Sequence, residues 1–445
     1  MHATQTLARH ALRLQSQPLP DEVLHHAKRA VIDWYASLFP GLAADPVAQL
    51  EAVLAEDLDH GHARLARGRP ATARAAALIN GTAAHAAEID DSFRDAMYHP
   101  GAATIAAALA AALAAAQDVD ADGARFLRAV VLGYEVSTRI GVVMGRSHYR
   151  FWHSTGTIGT FGAAAAAGAL LGLDEDAFAH ALATSATFAA GLQQAFRMDS
   201  MSKPLHAGRA AEAGLVAARL AREGVTGSLD VLDGEGGLGR AMSDGPDWSS
   251  IDATLGRDFH IARLTFKNHI GCGHTFAAID GALVLKERHG LAAGDIASVH
   301  VATYRPALDI ACYTRPTTPN EARFSLTYVV ATALAHGSVR LAAYEPARLD
   351  DPATRALMER VVVAVDPALD AAFPGQRAAR VVIETRDGRR LEHLQTHRKG
   401  DPEEPLSDLE LEGKFLELAG PVLGAGAAGT FMRRLWKLDE AGSLR

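Results

Sequence analysis

Phe259-His260-Ile261-Ala262-Arg263-Leu264-Thr265-Phe266-Lys267 is the stretch where the texture of this sequence changes. Its alternation of apolar and polar residues predicts a half-buried strand. Upstream, the chain reads as helix. Val23, Leu24, Ala27, Ala30, Val31, Trp34, Tyr35 and Leu38 fall at helical spacing, with Pro20-Asp21 at the start and Pro40-Gly41 at the end. Alanine-rich amphipathic segments of this kind continue to about residue 255, interrupted at Gly172-Leu173-Asp174 and Gly224-Val225-Thr226-Gly227. Downstream, Ala297 to Tyr304 alternates as a strand does, and Ala379 to Thr396 reads as a hairpin around Asp387-Gly388. Between them, Thr318-Pro319-Asn320-Glu321 forms a capping box with proline at the first helical position, opening a helix expected to run to Gly337. After Pro405 the pattern is helical again (Leu411, Phe415, Leu418) and is expected to return to the first domain. The expectation is a mainly α protein: a large all-α helical domain from residues 1–265 with 399–445, and a smaller α+β domain from 266–398.

Composition narrows the function classes. A chain of 445 residues has room for two or three domains at about 150 residues each. A net charge of −8 argues against a general nucleic-acid binder but leaves an acidic substrate open, since a pocket can be basic inside an acidic shell. Cys272 and Cys312 are too few for a disulfide framework or a thiolate-bound cluster, which fits a reducing cytoplasm. Met1 to Pro20 lacks the basic start and apolar run of a signal peptide and is expected to be an amphipathic first helix. The alanine run Ala102 to Ala116 is shorter than the ~20 residues of a membrane span and is expected to be a buried helix.

Five clusters carry residues capable of chemistry. The first runs from His85 through Glu88, Asp90, Asp91, Ser92 and Asp95 to His99-Pro100-Gly101. Read as a helix, it puts Glu88 and Asp91 on one face with His85 a turn before. Pro100 would leave His99 at a helix boundary, and the next helix would offer N–H groups suited to an anion. The bland alternative is an acidic helix end with a capping histidine. The second, Tyr149 to Thr157, offers His153 as an acid or base beside hydroxyl and N–H donors, or merely a helix N-terminus with aromatic packing. In the third, Ser202 to Arg209, Lys203 precedes a new helix expected over Ala210 to Ala221; a lysine there opposes the helix dipole, so it is either aimed at a substrate carboxylate or a solvated loop residue. The fourth, Lys267 to His274, combines two histidines with Cys272, but not at zinc-site spacing. The fifth joins Arg315, Arg323, Ser325 and Tyr328; Tyr328 is either core or a phenol offered to a cleft.

Taken in order, these stretches resemble the MmgE/PrpD family, which includes 2-methylcitrate dehydratases, cis-aconitate decarboxylases and iminodisuccinate epimerases. The resemblance covers nearly the whole chain. It rests on Asn80-Gly81 through His85, Asp90-Asp91-Ser92 with His99-Pro100, Gly133-Tyr134-Glu135, Trp152 to Thr157, and Thr226-Gly227 with Gly234-Glu235-Gly236-Gly237. It continues through Lys267 to Cys272, Pro319 with Ala322-Arg323 and Ser325, Lys399-Gly400-Asp401-Pro402, and Pro405-Leu406-Ser407. The resemblance implies an all-α domain built from both chain ends, an α+β lid, a homodimer, and a small polycarboxylate substrate handled without metal or organic cofactor, nucleic acid or membrane. The chemistry such a substrate needs makes His99 and His153 the expected acid–base pair, because histidine titrates near neutral pH, with Lys203 and Lys267 as the carboxylate-binding, charge-stabilising cations. Asp91 would orient a histidine, and Tyr328 would donate a proton or hydrogen bond. Asp90, Ser92, Lys267, Cys272, His274 and Arg323 would complete the pocket. Two departures stand out: Glu88-Ile89-Asp90-Asp91-Ser92 where relatives tend to have Asp-Phe-Asp-Asp-Thr, and Cys272 where the decarboxylases place a histidine, with His274 two residues on. The expected activity is a 2-methylcitrate-type hydro-lyase, with decarboxylation or epimerisation as the alternatives.

Two rival readings stand beside it. Asp90-Asp91-Ser92-Phe93-Arg94-Asp95 in a helical region superficially resembles the aspartate-rich magnesium motif of isoprenoid synthases, but no second motif follows. A non-catalytic carboxylate-binding protein would keep the fold, but binding alone does not call for the full set of proton donors.

Overall fold

The computed structural model describes residues 1–114, 121–196 and 200–444. The chain forms two compact units: Met1–Phe266 with Ser407–Arg445, and Lys267–Leu406. The first unit is dominated by helices, among them Ala3–Ser16, Asp21–Gly41, Ala73–Ala86, Pro100–Ala114, Gly123–Tyr149, Ser154–Leu171, Glu175–Phe188 and Ser202–Arg222, joined by Asp408–Leu423 from the C-terminal end. The first helix buries Leu7, Ala8, Ala11 and Leu14, as its amphipathic pattern predicts. Among the described residues no helix is long and apolar enough to cross a membrane. The alanine run lies in the helix Pro100–Ala114, whose Ala102, Ala103, Ala106 and Ala107 are all inaccessible to solvent; residues 115–116 fall outside the described residues.

Local chemistry sets the helix boundaries. Asp122 and Asp174 accept N–H bonds from Arg125 and Ala177, as N-caps do, and Gly172 ends the preceding helix in the left-handed conformation. Small residues let the helices cross closely. A Cβ on Gly208 would lie 2.2 Å from the carbonyl oxygen of Leu78, so glycine there fixes the approach of Ser202–Arg222 to Ala73–Ala86. Both helices carry candidate site residues at one end. The unit also holds a short antiparallel ribbon, β1 (Leu58–Arg64) with β2 (Pro70–Ala71), that the alternation of the sequence did not single out.

The second unit carries a four-stranded sheet in the order β4-β3-β5-β6. Here β3 is Ile296–Thr303, β4 Val361–Val365, β5 Ala379–Thr385 and β6 Arg390–Gln395. The β3–β4 pair is parallel and the others antiparallel, with Val301 opposite Val363 on one side and Val381 on the other. The β5–β6 hairpin turns at Asp387-Gly388, and the left-handed φ of Gly388 (88°) is the conformation that turn requires. Helices Phe276–His289 and Leu326–His336 pack against this sheet. The capping box at Thr318 forms as expected, but its helix spans only Pro319–Arg323. Ser325 then caps a second helix by accepting the Tyr328 N–H, and Gly337 ends it.

The strand expected at Phe259 to Lys267 does not form. His260 donates its N–H to the Glu135 carboxylate at 2.6 Å, and the Ala262 N–H turns back to Phe259. A short 3₁₀ turn therefore occupies His260–Arg263, and only Thr265 pairs, with Ser92. Burial does not alternate either, since His260 and Thr265 are buried along with Ile261, Leu264 and Phe266; the apolar–polar pattern did not report where the backbone groups find partners.

Candidate functional site

The first cluster is built by a break in a helix. Ala73–Ala86 stops, Glu88 takes a left-handed φ of 60°, and the chain runs extended to pair Ser92 with Thr265 and Phe93 with Tyr98. Met97, at φ 48°, turns the loop back, and Pro100 opens the next helix. Two left-handed non-glycine residues on one loop mark stored backbone strain. Glu88 and Asp91 consequently do not share a helical face, contrary to the sequence expectation.

In the extended segment Asp90 and Asp91 point to opposite sides. The Asp90 carboxylate lies 2.7 Å from His85 Nδ1 and 3.3 Å from His99 Nδ1. Burial opposes its charge, but the two imidazoles hold it well below the usual carboxylate range. His99 Nδ1 also lies 2.7 Å from the Asp91 carbonyl. Both neighbours are acceptors, so Nδ1 carries a proton, and in the neutral ring Nε2 is then the atom with the lone pair. Burial, against the pull of Asp90, lowers His85 to about 4, leaving it a neutral donor to that carboxylate.

Asp91 faces the core instead. Its carboxyl accepts from Tyr134 Oη at 2.8 Å and from the Gly101 N–H at 3.1 Å. Burial, then the charges of Asp33 and Asp90, push it up to about 8, so it holds a proton at neutral pH. The carboxylate that orients the histidines is thus that of Asp90, not of Asp91. The acceptor seated at the start of Pro100–Ala114 is the protein's own side chain, the protonated Asp91 carboxyl. The divergence of the two aspartates also removes the paired presentation on which the magnesium-motif reading depended. His85, Asp90 and His99 do place three potential metal-donor atoms within 4.8 Å of one another. Both Nδ1–H groups already point at the carboxylate, the geometry of a hydrogen-bonded acid–base cluster.

His153 joins the cluster from the helix Ser154–Leu171, which it precedes as N-cap residue. It is 1% exposed, and its ring stacks against His85 at 5.5 Å between centroids. Its Nδ1 lies 3.0 Å from Nδ1 of His206. Burial, then the charges of His85 and Lys203, lower His153 well below the ordinary imidazole range. Lys203 does not precede its helix. It sits in the first turn of Ser202–Arg222, which begins eight residues earlier than the pattern suggested because Lys203, Pro204 and His206 are themselves helical. Lys203 Nζ pairs with the Glu88 carboxylate and lies 5.2 Å from the Phe196 ring centroid. Burial disfavours its charge, but Glu88 lifts it above the usual lysine value, so it stays cationic. Ser92, half-buried, is held by its backbone exchange with Thr265.

Other expected site residues lie in the second unit. Cys272 is 7% exposed; its N–H bonds to the Arg323 carbonyl, and burial pushes its thiol up. The Arg323 guanidinium lies over Tyr344, 5.4 Å from the ring centroid. His274 Nδ1 meets Tyr304 Oη at 2.9 Å, and burial, with Arg377 and Arg398 adding to it, lowers His274 to about 4. Lys267 opens this unit. Tyr328 is fully buried and donates its hydroxyl to the Ala343 carbonyl, so of its two readings the structure gives the core.

Sequence reasoning left out four residues that shape the first-unit cluster. His85 and His206 were in the quoted clusters but were given no role; His206 follows Lys203 by three residues, so a helix starting earlier would have put both on one face. Asp33 and Lys414 are ionisable residues inside apolar helical stripes. Lys414 Nζ bonds to Asp33 Oδ1 at 2.6 Å and to the Ile89 carbonyl at 2.9 Å, with both side chains fully buried. The helix Asp408–Leu423 thereby pins the backbone that presents Asp90.

Compared with known proteins, residues 5–251 match the MmgE/PrpD N-terminal domain and residues 269–438 the MmgE/PrpD C-terminal domain. The chain is 29% identical to the cis-aconitate decarboxylase-like protein oryM of Aspergillus oryzae, over 95% of this chain and 91% of that protein. It is 25% identical to the cis-aconitate decarboxylase of Mus musculus, over 96% of this chain and 88% of that protein. It is also 25% identical to the cis-aconitate decarboxylase of Homo sapiens, over 95% of this chain and 89% of that protein.

Proposed function

Because the chain belongs to the MmgE/PrpD family, we propose that it is a cofactor-independent lyase acting on a small di- or tricarboxylate, with decarboxylation of a cis-aconitate-type substrate as its reaction. The observation that carries this reading is the pair of imidazoles, His85 and His99, on one ionised aspartate, with buried His153 stacked on His85 and cationic Lys203 beside them. The names of the full-length relatives favour decarboxylation over the dehydration expected from the sequence.

When carbon dioxide leaves, its bonding electron pair passes to carbon and delocalises into a neighbouring carboxylate. A cation at that carboxylate lowers the barrier, and Lys203 supplies one by exchanging Glu88 for the substrate. The carbon then takes a proton, which His153 donates from Nε2. Asp90 fixes the rings of His85 and His99, and His99 turns its Nε2 lone pair away from the carboxylate. The chain would act as a homodimer.

Dehydration is the second reading, favoured by one observation. His99 Nδ1 is taken up by acceptors, so a neutral ring offers its Nε2 lone pair to a proton beside a carboxylate. Proton NMR of the chelator-treated protein in deuterium oxide, with cis-aconitate, 2-methylcitrate, citrate, citramalate and iminodisuccinate, separates the two. Decarboxylation releases carbon dioxide and leaves one solvent deuteron on carbon. Dehydration of a hydroxy acid gives an alkene without loss of carbon. Turnover of none of the panel by the wild type, or wild-type turnover after His153→Ala and Lys203→Ala, would defeat the assignment.

A further inference from the structure

Decarboxylation consumes one proton per turnover, because a carboxylate leaves as neutral carbon dioxide and carbon gains hydrogen. Dehydration has no such net demand: the proton taken from carbon can leave with the hydroxyl. An enzyme whose proton donor is buried therefore needs a path for a solvent proton to that donor. The proposed donor, His153, is 1% exposed and lacks a neighbouring carboxylate of the kind that serves His99. Among the described residues its only hydrogen-bond partner through the ring is His206.

The pair is unusual in joining Nδ1 to Nδ1 across 3.0 Å. A neutral imidazole carries one N–H and one lone pair, so one ring must donate and the other accept. If His206 donates, His153 holds its proton on Nε2 and is an acid. If His153 donates, its Nε2 is bare. The tautomers of the two rings are locked to each other.

We propose that His206 is the positioning residue that sets this tautomer and passes a solvent proton to His153. The statement rests on the decarboxylation reading above. His206 is partly exposed, whereas His153 is 1% exposed. The step balances as follows. His153 Nε2–H goes to the substrate carbon, the His206 Nδ1–H moves to His153 Nδ1, and His206 Nε2 takes a proton from water. Both rings end neutral with their tautomers reversed; once product has left, water on the substrate side returns a proton to His153 Nε2, the His153 Nδ1–H goes back to His206 Nδ1, and the His206 Nε2–H is released to water. Charge appears only in passing, on the ring nearer water.

The surroundings suit this role. Gly191 packs on the His206 ring; a Cβ there would lie 3.2 Å from Nδ1, and its φ of 140° disfavours a side chain. The Gly191 carbonyl also accepts the His153 N–H at 2.9 Å, so one residue registers both rings. Phe196 closes edge-on over His153 at 4.7 Å between centroids. The charged and titratable groups facing the pair are His85, in the last turn of Ala73–Ala86, His99, from the loop before Pro100–Ala114, and Lys203, one turn before His206. All oppose a standing positive charge, which favours a neutral pair that relays over a stored imidazolium.

The test is His206→Ala with imidazole added back, beside ¹⁵N NMR of the wild-type histidines. The alanine variant is expected to lose about 100-fold in kcat with KM within about threefold, the loss typical of a removed proton-transfer partner. Imidazole, entering the space left beside Gly191, is expected to restore at least about tenfold, with substituted imidazoles restoring in the order of their basicity. The ¹⁵N spectra are expected to show one protonated and one bare Nδ1 in the pair. Wild-type kcat in the variant, a loss that imidazole does not restore, or two bare Nδ1 atoms would each overturn the proposal. If the wild type turns over no polycarboxylate, the decarboxylation reading fails by itself, and the ¹⁵N spectra still decide whether the locked pair exists; they do so equally if the variant does not fold.

Discussion

Lys414→Met should be among the most damaging single substitutions in the helical unit, although Lys414 lies far along the chain from every candidate site residue. Its ammonium is fully buried, 2.6 Å from an equally buried Asp33 carboxylate and 2.9 Å from the Ile89 carbonyl. Methionine keeps the length and most of the apolar contact of the stem, so packing changes little. What changes is electrostatic: Asp33 loses its ammonium partner in the core, where removing one member of a buried pair costs about 3–5 kcal/mol. Loss of the Ile89 bond adds about 1 kcal/mol. The assay is urea denaturation followed by far-ultraviolet circular dichroism, read as a midpoint shift at constant slope. Asp33→Asn combined with Lys414→Met should recover at least about 2 kcal/mol relative to Lys414→Met, because the double variant removes the carboxylate charge whose ammonium partner is gone. A single variant within about 1 kcal/mol of wild type, or a double variant no better than the single, would refute the reasoning. Because the Ile89 carbonyl adjoins Asp90, the single variant should also lower turnover beyond its effect on the folded fraction.

Three further outcomes follow from the site. Asp90→Asn should lower kcat by about 10²-fold or more, since it removes the charge that orients two imidazoles, whereas Asp91→Asn, replacing a carboxyl already protonated at neutral pH, should cost at least tenfold less; parallel kcat measurements check the ranking. His10 and His85 are both pushed down to about 4 chiefly by burial, so the unfolded chain binds more protons than the folded one between about pH 6.5 and 4. Their contribution is complete above pH 6.5 and is lost as the pH falls towards 4, at up to about 1.4 kcal/mol per pH unit for each ring. Asp91, raised to about 8, acts with the opposite sign above pH 4, so His85→Asn should flatten the acid limb of a stability profile without moving the alkaline one. Gly191→Ala should lower kcat more than it lowers stability, because a Cβ there displaces His206; equal effects on both would make Gly191 a fold residue only.

Local chemistry was legible in the sequence wherever a local rule decides it. The hairpin at Asp387-Gly388, the capping box at Thr318, the stop at Gly337 and the helix Asp21–Gly41 all follow from residues within a few positions of one another. The same holds for the mainly helical class and for the concentration of acid–base residues near His85–His99. Rules of this range fail where a distant group takes the backbone bonds. Phe259 to Lys267 alternates like a strand but gives its His260 N–H to Glu135, a residue on another helix. Glu88 continues a helical pattern by composition but breaks from it at φ 60°, with its carboxylate on Lys203.

The sequence by itself determined which residue types are available to the site, and that they are histidines, aspartates and a lysine in a helical frame. Tertiary structure decided which of two adjacent aspartates is the charged one. Asp90 is ionised because two imidazoles from different positions converge on it, and Asp91 is protonated because Asp33 and Asp90 surround it with like charge in a buried space. No spacing rule along the chain carries that distinction, since burial and charge act through space. The pairing of Lys414 with Asp33, 381 residues apart, and of His153 with His206, 53 apart, is decided in the same way.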